Sequence, residues 1–372
     1  MSTLQQQIDT ARMQVNTDSY PMSIGELINL YDDGELDIHP EFQRVYRWST
    51  EQKSRLIESI LLGIPLPSIF VAQRKDGVWD VVDGLQRIST ILSFLGKLKD
   101  EKGEVQKPLI LQATKYLPSL QDRVWEDRHN PEKEIDVEIK RIFKREKIDV
   151  KIIKRESDND TKFELFQRLN TGGSKLSDQE VRNCMLLMHN RDAFFWLKEL
   201  TKNSSFKATL PISDKQSEES YDAELALRFF IYRNSNEAIR KEHTDVAPYL
   251  NAEMIRIFDE KNNFNFENEK SIFINTFKIA EEALDDSAFK KYNHEKQKYE
   301  GAISLPVYEA ASFGLSKLIE SGKYDSAQLV NLFIEKTKLL TQDAEYKRVM
   351  ENRTRPIDRM VEMSKIASRV FK

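Results

Sequence analysis

The chain has 372 residues, of which 40% are hydrophobic and 32% charged, with only 12 glycines and 11 prolines. This excludes a disordered or collagen-like chain and favours helix-rich cores, about two or three domains in all. Its 57 basic and 61 acidic residues give a net charge of −4, which excludes a protein that coats nucleic acid by overall charge, so any such contact needs a local patch.

One cysteine, Cys184, rules out an intrachain disulfide and any Cys-based metal centre. The histidines His39, His129, His189, His243 and His294 show no zinc-ligand spacing. The most apolar stretch, Leu56 to Ala72, is interrupted by Glu58, Pro65 and Pro67 and is too short for a bilayer helix. The N-terminus has neither a basic nor an apolar leader region, so the expectation is a cytoplasmic protein without membrane contact.

In chain order, Ser23 to Tyr31 predicts a short helix ended by Asp32-Asp33-Gly34. Leu56, Ile57, Ile60, Leu61 and Ile64 recur on one helical face and predict a helix over 50–63, stopped by Pro65 and Pro67. Residues 68–73 and 78–82 read as a hairpin through Lys75-Asp76-Gly77. A helix follows with Leu85, Ile88, Ile91, Leu92 and Leu95 as its inward stripe. Beyond a charged loop at 97–107, a strand is expected at 108–112, a helix at 139–145, a strand at 148–153 and a helix at 158–169. Ser177-Asp178-Gln179-Glu180 reads as a capping box. Helices are then expected over 177–201, 219–235, 243–260, 268–285, 304–321, 326–341 and 355–371. The fold class is α+β over about 20–175, followed by a mostly helical domain over 176–372.

Three motifs carry chemistry. In Val81-Val82-Asp83-Gly84-Leu85-Gln86-Arg87 a strand ends in a carboxylate, a glycine turns the chain and a helix begins. The free N–H groups of a helix's first turn favour anions. Arg87 adds a fork suited to phosphate, Gln86 can orient a phosphate, water or base, and Asp83 can hold Mg²⁺ that arrives with a nucleotide. The plain alternative is an ordinary turn with a surface arginine. In Pro40-Glu41-Phe42-Gln43-Arg44-Val45-Tyr46-Arg47-Trp48 aromatics interleave arginines, which suits base stacking and phosphate contact or, equally, anchoring of a loop. The third, Leu169-Asn170-Thr171-Gly172-Gly173, is a helix break without Walker A spacing, where Asn170 can line a pocket.

Taken in order, Pro40-x-Phe42-Gln43-Arg44, Trp48, Asp83-Gly84-x-Gln86-Arg87 and Leu169-Asn170-Thr171-Gly172-Gly173 resemble the GmrSD restriction endonuclease N-terminal domain family, whose core is ParB/sulfiredoxin-like. Leu176-Ser177-x-Gln179-Glu180-x-Arg182-Asn183 and Glu224-Leu225-x-Leu227-Arg228-Phe229 extend the likeness to about residue 235. The resemblance implies binding and hydrolysis of a nucleoside triphosphate with Mg²⁺, in a prokaryotic defence system against foreign DNA. It assigns catalysis to Asp83, Gln86 and Arg87, with Asp83 as metal ligand, and nucleotide contact to Gln43, Arg44, Trp48, Gly84 and Asn170. The family's motif reads Asp-Gly-Gln-Gln-Arg, and Leu85 replaces its first glutamine here. The C-terminal His-Asn-His nuclease domain of many members is not found, so the resemblance implies either a stand-alone sensor or one subunit of a system whose partner is a separate nuclease subunit.

Two alternatives stay open. One is a DNA-binding adaptor that grips duplex phosphates through Lys140, Arg141, Lys144 and Arg145, within the basic run 139–156. The other is a metal-dependent endonuclease built on Asp122, Asp127, Glu138 and Lys140. A homo-oligomer is compatible with either.

Overall fold

Alternating and helical apolar spacings set the elements of the N-terminal half. In the computed structural model, residues 3–4, 17–38, 48–74, 76–100, 102–154, 177–235, 237–352 and 354–372 are described. Gln43, Arg44, Asn170 and the helix expected at 158–169 lie outside them. The chain divides into two compact units, Met1–Leu176 and Ser177–Lys372.

The first unit is mixed α+β. Strand β1 (Thr17–Ser23) leads into α1 (Ile24–Asp32), then β2 (Leu36–Asp37), α2 (Thr50–Leu61), β3 (Ile69–Gln73), β4 (Trp79–Asp83), α3 (Leu85–Phe94), α4 (Val137–Arg145) and β5 (Lys147–Ile153). The sheet order is β1-β5-β3-β4-β2. The β3–β4 hairpin and the β1–β5 pair are antiparallel, while β3–β5 and β2–β4 are parallel. Ile57 and Ile60 of α2, Ile88, Ile91 and Leu92 of α3, and Ile69, Val71 and Val150 of the sheet are buried in one core. An aromatic trio closes its far side: Phe94, Trp125 and Phe143 meet with centroids 5.5–5.7 Å apart. Such edge-on contacts fix α4 by Phe143, the one buried side chain of that helix.

The helices over 24–32 and 50–61 and the hairpin follow the predicted pattern. Helix α2 nonetheless ends before the prolines. Gly63 takes φ +65, and the Ile64 N–H reaches the Ser59 carbonyl at 2.9 Å, the bond of a left-handed glycine stop. No strand forms at 108–112. The Leu109 N–H bonds to Ser93 O and the Leu111 N–H to Arg123 O, so this segment spends its backbone groups on two different partners. Strand β1 was not expected, because Pro21 and Asp18 disguise it. Its partner lies some 130 residues away in the chain, Tyr20 facing Val150.

The second unit is helical: α5 (Asp178–His189), α6 (Arg191–Leu200), α7 (Ser204–Thr209), α8 (Asp214–Glu218), α9 (Tyr221–Asn234), α10 (Glu237–Glu242), α11 (Val246–Ile257), α12 (Phe266–Leu284), α13 (Leu305–Glu320), α14 (Ser326–Gln342), α15 (Ala344–Glu351) and α16 (Pro356–Val370). A small hairpin of β6 (Lys291–Asn293) and β7 (Lys298–Glu300) interrupts them. The single helix expected over 177–201 is two. Asn190 is extended at φ −149 and caps α6 by accepting from the Ala193 N–H, while its amide donates to Phe258 O at 2.9 Å. An N-capping asparagine was the signal in the sequence for that break. The Ser177–Glu180 capping box forms as its residues predict. Among the described residues no helix is long and apolar enough to cross a membrane.

Candidate functional site

Strand β4 delivers Asp83 to the edge of the sheet, and Gly84 turns the chain into α3. Gly84 has φ +99 and serves as N-cap with no side-chain cap bond. Gly84, having no side chain, offers the first turn of α3 no N-cap acceptor, and a helix start of this kind attracts anions. Glycine is required there twice over. The conformation is left-handed, and a Cβ would sit 2.9 Å from Ile69 Cγ1 and 3.3 Å from Arg87 Nη2.

Arg87 lies over this turn. Its Nη2 donates to Asp83 Oδ2 at 2.9 Å, and its Nη1 donates to Pro67 O and, at 3.3 Å, to Ser68 O. The guanidinium is 11% exposed and the Asp83 carboxylate 39%, so the acid is the partner that solvent reaches. Gln86 is half-buried, and its Oε1 accepts from the Trp48 N–H at 3.4 Å. Leu85 packs against the core, so the departure from the family motif has become a packing residue. The corner thus brings together Trp48, Asp83, Gly84, Gln86 and Arg87.

Topology brings the ends of the Gln43-Arg44 segment to the same place. Strand β2 runs parallel to β4, so it points at the edge where Asp83 ends, and Trp48 is tied to Gln86 at the other end of the segment. Gln43 and Arg44 themselves, with Asn170, are outside the described residues.

The later motif pieces meet in the second unit. Arg182 of α5 donates through Nε to Gln179 Oε1 at 2.8 Å and through Nη2 to Glu224 Oε2 at 2.6 Å. Glu224 Oε1 accepts from Arg228 Nε and Nη2 at 2.9 and 2.7 Å. Arg228 Nη1 continues to Glu309 Oε1 of α13 at 2.8 Å. Burial opposes the charge on Arg228, but Glu309 and Glu224 more than offset it and its pKa is raised. Burial would lift the Glu224 carboxyl too, yet Arg228 and Arg182 hold it below its ordinary value. Burial raises Glu309 despite Arg228. Two cations and two carboxylates are thereby sealed in the helical unit, where loss of either sign would leave a bare buried charge.

Residues 24–187 match the model of the GmrSD restriction endonuclease, N-terminal domain, family. That bears out the resemblance read from the motifs. The GmrSD match points to a restriction-type defence system. It covers the corner and the Gln179–Arg182 end of the buried network, and it stops short of Glu224 and Arg228. No curated protein matches the chain.

Within the GmrSD-matched region, the basic cluster splits over two faces of α4. Lys140 and Lys144, one turn apart, stand 5.7 and 5.8 Å from the Trp125 ring centre, and Lys140 also pairs with Glu134 at 2.9 Å. Lys140 and the Asp127 N–H hold the Glu134 carboxyl below its usual value. Arg141 and Arg145, also one turn apart, are exposed. Asp127 is one of the acids considered for a nuclease site. It caps its own turn, accepting from the His129 N–H and from the Asn130 N–H and amide. Among the described residues no three His, Cys, Asp or Glu side chains gather to hold a metal.

Sequence reasoning missed the Pro67 and Ser68 carbonyls that seat Arg87, because backbone acceptors leave no sequence signal. It also missed Trp125 beneath the basic helix. Its only sequence trace was the i, i+4 spacing of Lys140 and Lys144.

Proposed function

We propose that the N-terminal unit is a ParB/sulfiredoxin-like nucleotide-binding core that grips and hydrolyses a nucleoside triphosphate in a restriction-type defence system. The observation that carries this reading is the uncapped, left-handed Gly84 start of α3, with Asp83 and Arg87 flanking it inside the GmrSD match. The phosphates lie against the first-turn N–H groups of α3. Arg87, already seated on the Pro67 and Ser68 carbonyls, exchanges its more exposed partner Asp83 for phosphate oxygen. Asp83 is then free to orient the attacking water or to hold Mg²⁺. One carboxylate is a poor cation site by itself, which fits a metal that arrives bound to the triphosphate. Mg²⁺ would supply charge neutralisation to the phosphates. Gln86 orients the water or phosphate, and Gln43, Arg44, Trp48 and Asn170 complete the pocket. Phosphoryl transfer needs mainly positioning and charge neutralisation, which these residue types supply. The nuclease is a separate subunit.

The test is phosphate release from each of the four common triphosphates, with and without modified phage DNA. Asp83→Asn is expected to keep nucleotide binding and lose release. Release unchanged in that variant would remove Asp83 from the chemistry.

A second reading, a DNA-binding adaptor, is favoured by one observation: Arg141 and Arg145, one turn apart on α4, are both exposed. Duplex affinity then falls steeply with salt, and replacing both by Ala lowers the slope of log K against log salt by about 2. An unchanged slope in a salt-titration assay contradicts it.

A further inference from the structure

The helical unit holds a cavity of about 280 Å³ between α9, α11 and α16, outside the residues matched by the family model. Its base is apolar and aromatic: Ile231, Tyr232, Tyr249, Ile357 and Met360 are all buried. Its rim is polar, with Ser235, Ser364, Arg240 and Lys365. Among the described residues the lining contains two cations and no carboxylate, in a chain whose net charge is −4.

The cations are not fully spent on the protein. Among the described residues Arg240 Nε is shielded from solvent without a hydrogen-bond partner, and its Nη1 lies 3.7 Å from Asp358 Oδ1, beyond hydrogen-bond reach. Asp358 in turn accepts from Arg355 Nε at 2.9 Å, so one carboxylate is shared by two arginines. Lys365 is exposed and pairs with Glu362 at 2.9 Å. A buried donor left without a partner is costly, and a ligand acceptor would recover that cost.

The base of the cavity rests on the buried charge network. Met360 Sδ accepts from Arg228 Nη1 at 3.7 Å. Tyr232 stands beside Glu309. The base is therefore backed by the Arg228–Glu309 ion pair, buried on both sides, the kind of support a preorganised ligand site requires.

We infer that this cavity binds a small organic anion, its apolar or aromatic body on Tyr232, Tyr249 and Met360 and its carboxylate or phosphate at Arg240 and Lys365. The volume sits at the lower end of small-molecule sites and suits a single ring with one anionic group. Carboxylate and phosphate share this chemistry, and the two probes below separate them.

Ligand-observed NMR titration of the full chain with benzoate, phenyl phosphate and neutral benzyl alcohol tests the inference. At least one anion is expected to bind about tenfold or more tightly than benzyl alcohol, the effect of one charge-assisted contact. Arg240→Gln is expected to weaken that anion about tenfold or more. Val361→Phe, which fills the cavity from its wall, abolishes binding. Equal affinity for the alcohol, or an unchanged affinity in either variant, overturns the inference. So does absence of binding by both anions at about 10 mM. Should Arg240→Gln fail to fold, the comparison of anion with alcohol on the native chain still decides.

Discussion

Arg87 and Arg228 each reach back four residues to a carboxylate, Asp83 in one case and Glu224 in the other. Around Arg87 the carboxylate is more than one-third exposed and the remaining acceptors are backbone carbonyls. Around Arg228 every partner is a side chain, with Glu224 only 16% exposed and Glu309 wholly shielded. The same spacing therefore yields an exchangeable contact in the first unit and a fixed one in the second. A water-reachable ion pair is worth little to stability and is readily displaced. A buried pair is costly to break whatever it contributes net.

The largest expected effect breaks the fixed side of this contrast. Glu309→Ala leaves Arg228 buried with one carboxylate instead of two, and denaturant unfolding should show a loss of about 3–5 kcal/mol. A loss below about 1 kcal/mol would mean that the network is not sealed. Next comes the corner's backbone. Gly84→Ala must adopt φ +99 with its Cβ against Ile69, and is expected to cost about 2 kcal/mol by the same measurement. Wild-type stability in that variant would show that the turn relaxes freely.

How far these contrasts were legible in the sequence depends on the range of the interactions. Helices α2 and α3 and the β3–β4 hairpin were readable because their signals, apolar periodicity and a Lys75-Asp76-Gly77 turn, lie within a dozen residues. Strand β1 was not, since its pairing with β5 is set across the chain and Thr17–Ser23 has no apolar alternation of its own. The corner was legible as a place, from Asp83 to Arg87. The seating of Arg87 on the Pro67 and Ser68 carbonyls was not. Residues Gln179, Arg182, Glu224 and Arg228 were singled out only as pieces of a family pattern, and nothing in their spacing told that they meet.

The smallest stability effect concerns Glu58, a carboxylate buried on α2 that accepts from the Tyr116 and Leu117 N–H groups at 2.8 and 3.0 Å. Burial opposes its ionisation, but hydrogen bonds from Thr114, Tyr116 and Leu117 and the charge of Arg55 hold its pKa below the ordinary value. A depressed carboxyl adds stability above its unfolded pKa and loses it as pH falls through the lower folded one. The loss is thus confined to pH below about 4.3. Glu58→Gln should flatten that acid limb and lower stability by about 1 kcal/mol at neutral pH. An acid limb of equal steepness in both proteins would assign it to other groups.

The most direct test of the phosphate-gripping corner is calorimetric titration of the full chain with each Mg²⁺-nucleoside triphosphate, native against Arg87→Ala. The variant should keep its helical circular dichroism and lose no more than about 1 kcal/mol of stability. For at least one triphosphate, micromolar-range binding by the native chain should weaken about a hundredfold in the variant, roughly 2.7 kcal/mol. The same affinity in both proteins, or no triphosphate bound by the native chain, would contradict the account.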